Sequence, residues 1–303
     1  MSSPVHAERL ARVRATLAAR GLDGFVVPIS DEHMSEYVGD YAQRMAWLTG
    51  FGGSAGTAAV LPHKAAVFVD GRYTVQVRDQ VDGSLFDYVG VPQSSVAEWL
   101  GNNVSADQKI GFDPWLHGID WARGLGKALA AKGAQLVAVD ENPLDAAWDD
   151  QPAPSAAAVT VYDTKLAGQA ATDKRAVIAD WLKAKGLDTT VMTALDSVAW
   201  TFNIRGSDVS HTPVGLAFAL LHSDATADLF IAPEKVTDAV RAHLGNSVRI
   251  HDRDAFEAAL ADLKDKKVAV DPDRAVAAIF TALEAAGAKI ERHRDPAVLP
   301  KAI

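Results

Sequence analysis

The chain has 303 residues, 49% of them hydrophobic and 23% charged, with 22 Gly and 13 Pro; these values suit one or two folded domains and exclude disordered, collagen-like and low-complexity classes. It contains no Cys, which removes disulfides, thiolate nucleophiles, iron–sulfur clusters and Cys-ligated zinc. With 30 Lys and Arg against 39 Asp and Glu the net charge is −9, so its field repels nucleic acid and anionic membranes, and neither is expected as a partner. No run of about 18 apolar residues occurs and the N-terminal stretch lacks the apolar core of a secretion signal, which makes the cytoplasm the expected compartment.

In chain order, Leu10, Val13 and Leu17 recur at helical spacing and predict an amphipathic helix that ends at Gly21, where a left-handed cap is wanted. The apolar run 24–28 reads as a buried strand, and the polar cluster Ser30-Asp31-Glu32-His33-Met34-Ser35-Glu36-Tyr37 follows it, with Arg44 just beyond. A short helix over 45–48 leads into Gly52-Gly53-Ser54-Ala55-Gly56. Strands 57–61 and 65–69, joined by Pro62-His63-Lys64, predict a hairpin that runs out into Asp70-Gly71-Arg72-Tyr73. A helix over 94–100, a strand over 109–112, a helix over 121–131 and a strand over 135–139 complete the first half. The Pro- and Ala-rich stretch 150–158 suits a linker, giving a first domain over 1–155 and a second over 156–303.

The second half repeats the first. Ala19-Arg20-Gly21-Leu22-Asp23 recurs as Ala184-Lys185-Gly186-Leu187-Asp188, closing a helix whose apolar residues are Val177, Ile178, Trp181 and Leu182. Residues 189–193 read as the matching strand, and Met45 to Leu48, Gly53-Ser54 and Asn142-Pro143 each find a counterpart 153 residues later. A second hairpin is expected from 216–221 and 227–231, then a helix over 233–244 ended by Gly245, and a helix over 255–263 opened by a capping box of Asp254 and Glu257. The fold class that follows is α/β, two tandem similar domains, each a mixed sheet with helices on its faces.

The candidate chemistry is sparse. Gly52-Gly53-Ser54-Ala55-Gly56 matches a nucleophile elbow, but that elbow needs a strand before the Ser and a helix after it, the reverse of what the pattern predicts; a serine hydrolase using Ser54, with His211 downstream, stands as an alternative. The nine His are scattered singly with no metal-binding spacing, so no metal site is read. No phosphate-cradling glycine motif occurs. There remain Arg72 at a strand end, where a guanidinium can pair with a carboxylate, and the dense segment from Asn203 through Arg205 and Asp208 to His211 and Pro213. Their bland readings are an Arg paired with Asp70 or Glu36 and a tight loop whose side chains bond its own backbone.

These residues carry a resemblance. Ser30 to Tyr37, Thr49 to Thr57, Asp70 to Tyr73, Gly111 to Pro114, Thr193 to Trp200, Asn203 to Pro213 and Pro300 to Ala302 are similar, in order, to blocks of the two N-terminal domains of long Xaa-Pro aminopeptidases, in the creatinase/prolidase superfamily. The resemblance implies creatinase N-terminal-like domains with a ribonuclease H-like motif. It implies a cytoplasmic metallopeptidase that removes an N-terminal residue preceding proline, with two Mn²⁺ or similar ions in a C-terminal pita-bread catalytic domain absent from this sequence. The chain itself is then expected to hold no cofactor and no catalytic residue, to shape substrate access and assembly, and to be inactive alone. Arg72 is implied in binding proline-containing peptides, with His33, Tyr37, Arg44, Arg205 and His211 as lesser candidates. A homodimer is implied for the full-length protein and a monomer for the fragment. The remaining alternative is a stand-alone peptide-binding or scaffold module.

Overall fold

A computed structural model describes residues 4–302; residues 1–3 and 303, at the ends of the terminal stretches read above, lie outside it. The chain forms two compact units, the first from the residues up to Asp31 plus Asp40–Ala153, the second from Glu32–Gly39 plus the residues from Pro154 on. The segment Glu32–Gly39, which a single division after residue 155 assigns to the first domain, thus clusters with the second.

Unit 1 is built on β1 (Gly24–Pro28), β2 (Thr57–Val60), β3 (Ala65–Asp70), β4 (Asp87–Val91), β5 (Lys109–Phe112) and β6 (Gln135–Ala138), in the order β4-β3-β2-β1-β5-β6. Only β2 runs against its neighbours. The inner strands are apolar on both faces because helices cover both. On one face Phe25, Val27, Ala58 and Val67 meet Leu10, Val13 and Leu17 of the helix Pro4–Ala19. On the other, Val26, Ala59, Ala66 and Phe68 meet Trp99 and Leu100 of the helix Val96–Asn103 and Leu125 and Leu129 of the helix Ile119–Ala130. This alternation is the period of two that a pleated strand imposes, and each such fully buried Leu or Phe contributes roughly 2 kcal/mol.

Unit 2 carries β7 (Thr160–Val161), β8 (Thr189–Met192), β9 (Ile204–Arg205), β10 (Ala217–His222), β11 (Ala227–Ile231), β12 (Val248–His251), β13 (Lys267–Val270) and β14 (Lys289–Arg292). Its sheet order, β12-β11-β10-β8-β13-β14, is the order of unit 1 with β10 as the reversed strand, and β7 pairs with β9 apart from it. The repeat extends to individual hydrogen bonds. Asp23 accepts the Lys109 N–H at 2.8 Å and Asp188 the Lys267 N–H at 2.8 Å. Asp113 accepts from Asn142 at 2.9 Å, and its counterpart Asp271 accepts the Asp295 N–H at 2.7 Å.

Three expectations need correction. Val177 is half exposed, and the apolar face of the helix Ala171–Lys185 is carried by Ala171, Ile178, Ala179 and Leu182. The segment 233–244 is a 3₁₀ turn, Pro233–Lys235, then a separate helix, Asp238–Leu244; Val236 is extended, and Thr237 supplies the cap by accepting the Val240 N–H at 3.3 Å. The turn ahead of the helix Phe256–Leu260 is capped by Asp252, which accepts the Asp254 N–H at 3.1 Å, so Asp254 is not the cap.

Candidate functional site

Arg72 stands where β3 runs out into the 3₁₀ turn Gly71–Tyr73. Asp70, still extended, turns its carboxylate back to accept the Arg72 N–H at 2.9 Å, and the same carboxylate takes the guanidinium in a fork, Nε at 3.1 Å and Nη2 at 2.8 Å. The side-chain bond from Arg72 holds the Asp70 carboxyl below the usual carboxylate range. The guanidinium also lies 5.2 Å from the Tyr73 ring centroid. Tyr73 is in turn fixed from below, its phenol oxygen 2.9 Å from Ser54 Oγ and accepting the Ser54 N–H at 3.3 Å. Gly53 allows this packing, since a Cβ there would lie 2.3 Å from the Phe51 ring and 2.8 Å from Tyr73. The result is a cation with 64% of its side chain exposed, oriented by a carboxylate and an aromatic face. Such a group can bind the carboxylate or carbonyl oxygens of a peptide.

Ser54 follows the helix Arg44–Thr49 and precedes β2, the reverse of strand, Ser, helix, and its hydroxyl meets the Tyr73 phenol; the nucleophile-elbow reading fails on this geometry. His211 belongs to the other unit.

Within unit 2, His33 is 2% exposed. Its Nδ1–H donates to the Thr193 carbonyl at 2.8 Å, which leaves Nε2 to accept from Arg253 Nη2 at 3.2 Å, and its ring stacks on Phe218 at 4.3 Å. Arg253 also pairs with Glu32. His33, Tyr37, Asp196, Thr212 and Arg274 line a cleft of about 350 Å³, where Tyr37 is exposed. Arg205 lies 4.0 Å over the Tyr162 ring and donates to the carbonyls of Ala199 and Ile204 at 3.1 and 2.9 Å. His211 is exposed in a turn at a φ of 59°. In unit 1, Arg44 is buried and binds Asp145 in a fork at 2.7 and 2.8 Å, so its charge is used in holding the helix Pro143–Ala147.

The six candidates thus fall into two groups, Arg72 and Arg44 in unit 1 and the other four in unit 2. Arg253, Phe218 and Arg274 lie outside the sequence candidates although they surround His33 or its cleft; nothing local marks Arg253, which is 220 residues from His33. The repeat does not mark Arg274 either, since it stands where unit 1 has the apolar Leu116: each donates its N–H to the carbonyl of the Asp three residues before it, Arg274 to Asp271 at 3.2 Å and Leu116 to Asp113 at 3.1 Å.

A second polar cluster crosses the edge of the unit 2 sheet. Asp228 accepts from Arg249 Nε and Nη2, both at 2.6 Å, from His222 Nε2 at 2.8 Å and from His251 Nε2 at 2.7 Å. Burial pushes its carboxyl up, but the bonds from Arg249, His222 and His251 outweigh it and hold the group far below the usual range. Among the described residues no group of three or more His, Asp or Glu could hold a metal ion, and no helix is long and apolar enough to cross a membrane.

Comparison with known proteins agrees with the doubled architecture. The family model for the Creatinase/Prolidase N-terminal domain matches residues 9–145, and a second model of the same description matches residues 150–303. A probable Xaa-Pro aminopeptidase P of Aspergillus clavatus is 37% identical over 263 residues, 86% of this chain and 40% of that protein. Aminopeptidase P2 of Arabidopsis thaliana is 32% identical over 94% of this chain and 41% of its own length. The crystal structure of X-prolyl aminopeptidase from Caenorhabditis elegans, described as a cytosolic enzyme with a di-nuclear active site, superposes with a TM-score of 0.88 at 28% identity, covering 95% of this chain and 50% of that one. The chain therefore spans about two fifths of the length of these curated relatives. Repeated strand order, repeated carboxylate caps and a match to each half place the chain in the creatinase/prolidase N-terminal domain family, which it represents twice in succession.

Proposed function

We propose that this chain is the peptide-facing, non-catalytic portion of a cytoplasmic Xaa-Pro aminopeptidase, shaping which peptides reach the chemistry rather than performing it. The observation that carries this reading is Arg72, a guanidinium held out to solvent by the Asp70 carboxylate and the Tyr73 ring. Keeping a cation oriented before a ligand arrives reduces the ordering cost of binding, and a fork of N–H donors suits a peptide's carboxylate or successive carbonyls. The aminopeptidase relatives support the substrate class, proline-containing peptides. In such an enzyme a pair of divalent metal ions would supply the water-activating chemistry. The described residues do not fit such a centre, so none of its steps is assigned to them.

The test compares the full-length protein with the 303-residue chain for hydrolysis of an Xaa-Pro peptide in the presence of Mn²⁺. Activity is expected in the first alone, and robust turnover by the chain alone would overturn the reading. In the full-length enzyme Arg72→Ala is expected to lower kcat/KM by about ten- to a hundredfold, the loss of a charge-assisted bond, with bound metal unchanged. Unaltered kinetics would reduce Arg72 to a partner of Asp70.

A further inference from the structure

The duplication sets the outer faces of two equivalent helices side by side, Pro4–Ala19 in unit 1 and Ala171–Lys185 in unit 2. Both lead into a left-handed glycine, Gly21 and Gly186. Counting back from these glycines sets Arg12 against Val177, Thr16 against Trp181 and Arg20 against Lys185. Burial agrees with this register, since Val13 and Leu17 match Ile178 and Leu182 and all four are buried. Each face meets the segment that follows the last strand of its sheet. Glu141 immediately precedes Asn142, whose side chain accepts the Leu144 N–H at 2.9 Å, and Arg294 immediately precedes Asp295, whose side chain accepts the Ala297 N–H at 2.8 Å. Glu141 and Arg294 therefore hold the same position in the two units.

In unit 1 this face is closed by ion pairs, Arg12 with Asp149 at 2.6 Å and Arg20 with Glu141 at 3.4 Å. In unit 2 an apolar residue, Val177, stands in place of Arg12, and two cations, Lys185 and Arg294, stand in place of the pair of Arg20 and Glu141. A groove of about 400 Å³ is left there, with Val177, Trp181, Lys185, Arg294 and Leu299 in its walls. Val177 is 50% exposed and Leu299 66%, so its apolar lining is open to solvent. Lys185 Nζ lies 5.6 Å from the Trp181 ring centroid, and neither Lys185 nor Arg294 has an acidic partner among the described residues. The acid in the wall, Asp295, is buried and its carboxylate is committed to the Ala297 N–H, while Glu291 lies 3.4 Å from His293. The exposed charge at the groove is thus positive, in a chain whose net charge is −9.

We infer that this groove is a docking site for an acidic peptide segment of a partner chain, one in which a Glu or Asp adjoins a large apolar residue. The carboxylate supplies to Lys185 and Arg294 the anion that Glu141 supplies to Arg20 in unit 1, and the apolar side chain lies on Val177, Trp181 and Leu299. Two features fix this occupant. Arg294 removes the internal anion that closes the same place in unit 1, and the exchange of Arg12 for Val177 makes the wall apolar. The inference is independent of the aminopeptidase reading, since it requires only the repeat and the groove.

The 303-residue chain tests it directly, with N-acetyl-Leu-Glu-amide as the probe and the Trp181 indole N–H resonance, assigned by its loss in Trp181→Phe, as the readout. A saturable shift in the millimolar range is expected, weakening as salt is raised. N-acetyl-Leu-Lys-amide should bind at least about tenfold more weakly because its charge is reversed. Arg294→Glu, which recreates beside Lys185 the pair that unit 1 uses, should abolish binding of the acidic probe, and the exposed position of Arg294 leaves the fold intact. Lys185→Glu combined with Arg294→Glu should reverse the preference between the two probes. The inference is overturned by equal affinity for both probes, by no saturable shift, or by binding that survives Arg294→Glu. Free 4-methylpentanoate binding as tightly as the peptide would overturn it by assigning the groove to small apolar acids, and a concentration-dependent shift without probe would do so by assigning it to a second copy. A full-length protein whose Trp181 no longer responds to the probe would give the groove to its own polypeptide, which overturns the partner chain as occupant.

Discussion

His117 is 4% exposed, its ring 3.9 Å from Trp121 and its Nδ1–H donating to the Asp113 carbonyl at 2.9 Å, while Nε2 has no hydrogen-bond partner among the described residues. Burial lowers its pKa from 6.5 to about 4, with the bond to Asp113 opposing the shift. Because the folded value is depressed, the unfolded chain binds the extra proton first as pH falls. The stability this residue contributes is present above pH 6.5 and is lost as pH falls from there to about 4. The loss is on the order of 3 kcal/mol. Urea unfolding at pH 7 and pH 4.5 should show this slope, and His117→Phe, which keeps a ring against Trp121, should flatten it; an unchanged slope would contradict the account. Asp228 acts in a lower window, since its depressed carboxyl contributes stability above the unfolded carboxylate pKa of about 4 and loses it only as pH falls further. Asp228→Asn should reduce the loss of stability that sets in as pH falls below about 4. At this scale the sequence was legible where partners are neighbours, as with Arg72 and Asp70. It was silent where a hairpin must first form, as with Ser54 and Tyr73, 19 residues apart.

The two long helices that open the units end on equivalent glycines, Gly21 at a φ of 68° and Gly186 at 65°, both in the left-handed region. An added Cβ would meet nothing within 4 Å at either position, so an alanine there suffers backbone strain alone. Gly21→Ala and Gly186→Ala should therefore each cost about 1 kcal/mol, measured by chemical denaturation. A cost near zero at one of them would mean that the cap is not equally constrained in the two copies. These caps were legible because a glycine placed just after an apolar helical stripe marks the point where the chain must turn left-handed to leave the helix. The hairpins were legible for a similar reason, as apolar runs bounded by turn residues. β4 and β12 were not, because Asp87–Val91 and Val248–His251 lie at sheet edges with most of their residues only partly buried, and Tyr88, Gly90, Arg249 and His251 break the apolar pattern. Caps two residues apart, Asp252 and Asp254, are indistinguishable without knowing where the 3₁₀ turn begins.

The doubled pattern revealed the architecture of the whole molecule, yet the repeat misassigns the segment Glu32–Gly39, which follows β1 in the chain and clusters with unit 2. Hydrophobicity carries no signal for this. The segment is polar, and what holds it is a buried imidazole on Phe218 and a buried-edge ion pair with Arg253, residues far along the chain. Removing the ring should thus weaken the unit that is distant in sequence. His33→Ala leaves a void beside Phe218 and strands the Arg253 donor that His33 Nε2 accepts, a loss of about 2–3 kcal/mol. Native-state hydrogen exchange resolves where that loss is felt. Exchange should rise in β8, β10 and the helix Phe256–Leu260, and stay unchanged in β1–β3, although residue 33 lies five positions past the end of β1. Leu10→Ala, which opens a void under the helix Pro4–Ala19, should do the opposite, raising exchange in unit 1 and sparing β8 and β10. If His33→Ala instead loosens β1 and leaves β10 protected, the segment belongs energetically to the unit that precedes it in sequence, and the pairing of Glu32 and His33 with unit 2 is a passive contact.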